Sequence, residues 1–428
     1  MTSEYATTVF AFLGGGVRAV PAGLLHLVEE GSQVVASTFG FGSRYLQRGN
    51  AIPLDRSALR LEGAAPGSVR QVTPPNGLTL FGAVRDALPD LWGRRVIENK
   101  LKVPANSLRE SDYMRHAGGN RLGALDFRAT PESEEEDGLL VSVTELRYLL
   151  DASDRVQRGE HIPENLTQLF HAGPTMGGAR PKAVVVQGDV QYLAKFPAIG
   201  DGFNVPVIER ATLELARACK LEVPKTDVVR MPDGRDVMLI ERFDRTAVKG
   251  GWARKPVVSA LTALELHESE SPDASYAALS DSMGRFAAHG RAGVDRAELF
   301  GRMVFNILVS NDDDHLRNHA FIWLPQARGW ALSPLYDVLP KPQVATERRL
   351  HLGVGKQGRL ATLDNAMSES GRFGLTPPKA KEIVERISTV TREWRIAFNE
   401  MGVSDAECDN VAAAFHKPRD IGLEAALS

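Results

Sequence analysis

The stretch ELFGRMVFNILVS (298–310), with what it runs into, constrains this chain most. Leu299, Phe300, Met303, Val304, Ile307 and Leu308 recur at i, i+1, i+4, i+5, i+8 and i+9. That spacing lays one wide apolar stripe along a helix, so the helix is expected to be buried. It passes directly into NDDDHLRNH (311–319), which holds three consecutive acids, two histidines and two asparagines. HAFIWL, a PQARG turn and WALSPLYD follow, and they read as a hairpin.

Four residues separate Asp313 from Asn318. This D-x4-N spacing is that of a protein-kinase catalytic loop, where the Asp accepts the proton of the attacking hydroxyl and the Asn holds Mg²⁺. A second carboxylate, Asp337 in Leu335-Tyr336-Asp337, comes after the hairpin, which folds it back beside the loop. Carboxylate and amide oxygens are the hard ligands that Mg²⁺ takes. D-x4-N alone is weak. A buried helix, D-x4-N, a hairpin and a further Asp in that order is more specific.

Upstream, residues 170–243 read as hairpin, helix, hairpin. PTMGGARPK (174–182) is a Gly-containing turn before a strand, and glycines let backbone N–H groups approach phosphate. It is neither G-x-G-x-x-G nor a Walker A sequence, and taken alone it is a plain β-turn. Lys195 ends the next strand, in YLAKFP, where snorkelling to solvent competes with a contact to the α- and β-phosphates. Glu209, early in the predicted helix 204–221, is the expected partner of that lysine, with Glu214 as rival. Glu241, Arg242 and Phe243 close the second hairpin, where an interlobe hinge would bond adenine through backbone groups. Gly turn, strand Lys, helix Glu, hinge and Asp…Asn…Asp thus stand in kinase order.

The remaining chain is less specific. TTVFAFLGG and SQVVASTFGF look like strands, and residues 80–101 look helical with a kink or break at Pro89. PESEEEDG (131–138) reads as a solvated loop and a segment boundary, and TELRYLLDASDRVQRG reads as a helix. The C-terminal run 377–402 reads as one long helix closing at Gly402. Trp92 is assigned to the core. A net charge of −3 gives no global reason to expect nucleic-acid binding. Cys219 and Cys408 are far apart and form no CxxC, which argues against a zinc-cysteine site or a disulfide framework and suits a reducing cytosol. No basic leader and no run of about 20 apolar residues is seen, so a soluble, cytoplasmic protein without membrane contact is expected. His315 and His319, four apart among acids, invite a zinc or metal-hydrolase reading, but that reading gives Lys195, Glu209 and GGARPK no task. His315 is expected to brace the loop by hydrogen bonds.

GGARPK, YLAKFP, ERFDR (241–245), D-D-H-L-R-N (313–318) and LYDVLP (335–340) resemble the HipA family of serine/threonine kinases, the toxins of bacterial toxin–antitoxin modules. FGSRYLQRG and LFGAVRDALPDLWGRRVI look like that family's N-terminal domain. The resemblance implies an α+β, two-lobed kinase-like fold with an added N-terminal mixed α/β domain: 1–150, then a kinase N-lobe at 151–250 and a helical C-lobe at 251–428. It implies ATP and Mg²⁺ as cofactors and phosphoryl transfer to a protein hydroxyl. Asp313 is then the general base, and Asn318 and Asp337 hold the metal. Lys195, Gly177, Gly178, Ala179, Arg180, Pro181 and Lys182 hold phosphate. Glu241 to Phe243 form the hinge, while His315, Leu316, Arg317, Asn318 and Tyr336 line the nucleotide site. Family members commonly phosphorylate an aminoacyl-tRNA synthetase, above all glutamyl-tRNA synthetase. They are restrained by a HipB-like helix-turn-helix antitoxin, through which they meet DNA. Where the family often has a serine whose autophosphorylation ejects the phosphate loop, this chain has Thr175, a hydroxyl open to the same modification. An alternative within the same fold is an inactive corepressor bound with its antitoxin on DNA.

Overall fold

The computed structural model describes residues 2–14, 16–61, 71–135, 140–163, 178–343, 345 and 347–428. The chain forms two compact units. One comprises Met1–Ile199, Ile240–Leu266 and Phe321–Pro325, the other Gly200–Leu239, His267–Ala320 and Gln326–Ser428.

The first unit begins with an antiparallel sheet of β1 (Thr2–Phe12), β2 (Ala19–Glu30), β3 (Gln33–Phe41), β4 (Gln71–Val72) and β5 (Leu125–Arg128), in the order β4-β3-β2-β1-β5. β1 and β3 match the expected strands. β2 was not foreseen, because Pro21 and Gly23 break its alternation. Only glycine fits at 23: a Cβ would stand 2.3 Å from the Gly40 carbonyl oxygen and 2.4 Å from the Phe39 ring. Around Pro89 the chain makes two helices, Gly82–Asp86 and Leu91–Leu101. Asp90 caps the second by accepting from Gly93 N at 2.9 Å. Trp92 is in the core, 2% exposed, and its indole N–H donates to the Lys182 carbonyl at 2.9 Å. A second sheet runs from β6 (Val141–Ser142), parallel to β7 (Lys182–Gln187), to β8 (Val190–Lys195), antiparallel to β7. The helix Leu146–Gln157 lies between β6 and β7 in sequence, as expected.

In the second unit the helix Val205–Ala218 precedes β9 (Thr226–Arg230) and β10 (Asp236–Glu241), whose last two residues belong to the first unit. The helix Ala292–Val309 forms the centre of this unit, with Leu299, Phe300, Met303, Val304, Ile307 and Leu308 each at most 1% exposed. Phe300 meets Phe373 edge to face, with ring centres 5.3 Å apart. The strands of the expected hairpin follow in sequence, Ala320–Leu324, which from Phe321 on belongs to the first unit, and Gly329–Leu332 in the second, where Ser333 N returns to the Ala320 carbonyl at 2.8 Å. The C-terminal run departs from expectation. It forms two helices, Pro377–Arg392 and Trp394–Glu400, divided at Glu393. Beyond the break the Trp394 ring stacks flat on Phe415, centres 3.9 Å apart, a long-range contact that a helix pattern does not encode. Among the described residues no helix is long and apolar enough to cross a membrane.

Candidate active site

The central helix of the second unit stops because Ser310 takes the left-handed conformation (φ 52°), and its hydroxyl bonds the Ala414 carbonyl. Asn311 N then closes the helix end on Asn306 O at 3.0 Å. This fixed exit sends the three following acids in three directions. Asp312 turns to Lys341, 3.0 Å away, and to the Gln343 amide. Asp314 is fully buried and accepts from the Tyr276 hydroxyl and from His319 Nε2, the latter at 2.8 Å. Burial alone would raise its pKa, but His319 and the hydrogen bonds outweigh burial and hold the carboxyl below its usual value. Asp313 alone of the three is exposed.

The Asp313 backbone carbonyl accepts from His315 N at 2.8 Å and from Asn318 Nδ2 at 3.0 Å. His315 Nδ1 in turn accepts from Arg317 N at 3.2 Å, the bracing role expected of it. A carbonyl can only accept, so its contact with Asn318 fixes which end of that amide is NH₂. Asn318 is 2% exposed, and its Oδ1 has no hydrogen-bond partner among the described residues. A buried acceptor left open in this way has the lone pairs that a metal ion or a donor could take. The Tyr336 hydroxyl donates to the Arg317 carbonyl at 2.8 Å and so ties 335–337 to the loop. Asp337, partly exposed, has φ 59°, a left-handed conformation uncommon for any residue with a Cβ. One amide oxygen and one carboxylate suit Mg²⁺, which binds through one or two protein groups, water and phosphate oxygens. Among the described residues no three His, Cys, Asp or Glu side chains converge as a metal cage. The Asp314–His319 pair is instead a buried brace.

The other expected site residues divide between the units. Thr175 and Gly177 lie outside the described residues. In the first unit, Gly178 and Ala179 are exposed, Arg180 is partly so and Pro181 is buried, its carbonyl accepting from Phe196 N at 2.9 Å. Lys182 stands opposite Lys195 in the β7–β8 register. Its ammonium lies 2.7 Å from the Asp90 carboxylate, with both side chains at most 5% exposed. Lys182 is thus the first residue of a strand and a member of a buried ion pair. Lys195, 8% exposed, ends β8. Arg242, in the segment expected to form the hinge, is buried. Its N–H continues the pairing with β8 through Gln191 O at 2.9 Å, and its guanidinium binds Asp244. Glu241 and Phe243 flank it, both partly exposed, and the Phe243 carbonyl accepts from Lys255 Nζ at 3.2 Å.

In the second unit, Glu209 lies early in its helix, 3% exposed. Its rival Glu214 is committed to Arg217 at 2.9 Å and Thr226 at 2.7 Å. Leu316 is fully buried, and Arg317 pairs with Glu268. Sequence reasoning missed Asp314, His319 and Tyr276 as a unit, and Asp90 and Asp244 as anchors.

The fold is α+β and of the kinase-like class, and in it a buried helix delivers one exposed aspartate, Asp313, with a left-handed aspartate, Asp337, further along the chain. Residues 175–394, just over half the chain, match the HipA-like C-terminal domain, and the chain belongs to that family. It is similar to two Sinorhizobium fredii proteins named as candidate kinases. One is Y4mE, 25% identical over 76% of this chain and 77% of that protein; the other is Y4dM, 28% identical over 44% and 48%. HipA of Shewanella oneidensis MR-1, solved with HipB and its operator DNA, shares the fold at a TM-score of 0.66. The match has 18% identity and covers 98% of this chain and 96% of that one.

Proposed function

We propose that this chain is an ATP- and Mg²⁺-dependent serine/threonine protein kinase and the toxin of a toxin–antitoxin module. Family membership and the kinase naming of its relatives support phosphoryl transfer in general. The observation that carries the finer reading is the Asn318 amide, tied by its NH₂ to the Asp313 backbone with its oxygen left open.

Asp313, whose side chain is exposed, orients a serine or threonine hydroxyl and takes its proton as the hydroxyl oxygen bonds the γ-phosphorus. The bond from the γ-phosphorus to the bridging oxygen breaks, and ADP leaves. Asn318 Oδ1 and Asp337 would hold Mg²⁺, which would offset charge on the phosphates. Lys195 adds a fixed positive charge at the α- and β-phosphates. Positioning and electrostatics carry most of the rate. The acceptor is a translation component, an aminoacyl-tRNA synthetase such as glutamyl-tRNA synthetase. The restraining partner is a HipB-like antitoxin that brings the chain to DNA, as HipB and operator DNA accompany the Shewanella protein. Thr175 is a candidate for autophosphorylation.

Calorimetric titration with ATP tests the metal assignment. Affinity should rise with Mg²⁺ in the wild type, and Asn318→Leu should abolish that gain. An equal gain in both proteins refutes the role given to Asn318.

A further inference from the structure

The segment Glu241–Phe243 is gripped from the N-terminal region of the same unit, over more than a hundred residues of sequence. Asp244 is at the centre. Its Oδ1 accepts from Arg242 Nε at 3.0 Å. Its Oδ2 accepts from Arg242 Nη2 at 2.8 Å, Arg245 Nη1 at 2.7 Å and Gly123 N at 2.8 Å. The two guanidiniums then reach the loop Gly119–Gly123. Arg242 bonds the carbonyls of Asn120 at 3.3 Å and Arg121 at 3.0 Å. Arg245 bonds those of Arg121 at 2.6 Å and Gly123 at 3.0 Å. Arg254 adds the Gly119 carbonyl at 2.7 Å and pairs with Glu135 at 2.9 Å. Asp244, Arg242 and Arg245 are each at most 8% exposed.

Burial would raise the Asp244 carboxyl, but Arg242, Arg245 and the Gly123 amide outweigh it and hold the carboxyl well below the usual carboxylate range. The loop can come this close because Gly123 has φ +73°, and a Cβ there would lie 3.1 Å from Val257 N. A charged, fully bonded, buried cluster of this kind is rigid, and it fails when one member is removed.

We propose that Asp244 is a positioning residue of the nucleotide site, through which the N-terminal loop Gly119–Gly123 fixes the backbone of Glu241–Phe243 for adenine. The inference rests on the nucleotide-binding reading above. The anchor is one residue beyond the segment, and Arg242 is bonded on one side to β8 by its N–H and on the other to the loop by its guanidinium. The fold thus holds the hinge at both edges, and a nucleotide site gains affinity when its contacts are preset.

The test compares Asp244→Asn with Glu29→Gln. Glu29 is an equally buried acid of the first unit that binds Ser111 N at 2.8 Å and Ser111 Oγ at 2.7 Å, far in sequence from the hinge. Both variants should melt lower than the wild type. Asp244→Asn should weaken ATP roughly tenfold or more and raise KM for ATP, with kcat at saturating ATP kept. Glu29→Gln should leave ATP affinity and KM as they were. Equal ATP affinity in the two variants overturns the proposal while leaving the kinase reading intact. Absence of ATP binding by the wild type overturns both. Hydrogen exchange on the wild type supplies a readout should Asp244→Asn not fold. ATP should raise protection across 119–123 together with 241–245, and protection confined to 241–245 overturns the proposal.

Discussion

Neighbouring acids of one loop should respond to substitution in opposite ways. Asp314 accepts two hydrogen bonds in a fully buried setting, from Tyr276 and His319, both on the same carboxylate oxygen. Asp314→Ala leaves two buried donors unpaired. Each orphaned donor costs about 1–3 kcal/mol, so the variant should lose roughly 2–6 kcal/mol. For a unit of this size that corresponds to a melting temperature lower by on the order of 10 °C. Asp314→Asn can keep one oxygen where both donors meet it, but it loses the charge assistance and puts its NH₂ where Oδ1 has no hydrogen-bond partner among the described residues, so it too should lose at least about 1–3 kcal/mol. Asp313→Asn, on an exposed side chain, should stay within about 0.5 kcal/mol of the wild type. Its phosphoryl transfer should nevertheless fall about 10²-fold or more, because a general base is typically worth 10²–10⁴. Urea unfolding with a matched transfer assay reads both quantities. Asp314→Ala as stable as Asp313→Asn would refute the division of labour among the three acids.

Two further outcomes follow from single residues. Asp337→Asn should weaken Mg²⁺-dependent nucleotide binding while ATP alone binds as before, and an unchanged magnesium titration would remove Asp337 from the metal site. Burial pushes the Asp55 carboxyl up to about 6, against its bonds to Leu59 N and Ser57 N. Its folded pKa lies above the unfolded value, so its stabilising contribution is complete below about pH 4 and disappears as pH rises through 6. Asp55→Asn should therefore be the more stable protein at pH 7.5 by up to about 3 kcal/mol, with the gap closing near pH 4, as urea titrations at both pH values would read.

The sequence made some of this legible and hid the rest for physical reasons. The stripe of 298–310, the turn-bounded hairpins and the Pro89 break are local patterns with local causes, and the structure carries them. The D-x4-N spacing singled out Asp313, which the structure leaves exposed. What stayed hidden depends on distant partners. Tyr276 reaches Asp314 across 38 positions, and Asp90 reaches Lys182 across 92. Gly123 reaches Asp244 across 121. No window of sequence contains both members of such a pair. The buried carboxylate partners of Lys182 and Arg242 were hidden in the same way. The break at Glu393 is another case, since the Trp394–Phe415 stack is a tertiary contact.

The central claim is phosphoryl transfer with Asp313 as base. Its most direct test is the intact mass of the protein, and of glutamyl-tRNA synthetase mixed with it, after incubation with Mg-ATP, for the wild type beside Asp313→Asn. The account predicts a gain of one phosphate on the chain or on the synthetase with the wild type only. An equal gain with the Asp313→Asn protein, or none anywhere with a wild type that binds Mg-ATP, would contradict it.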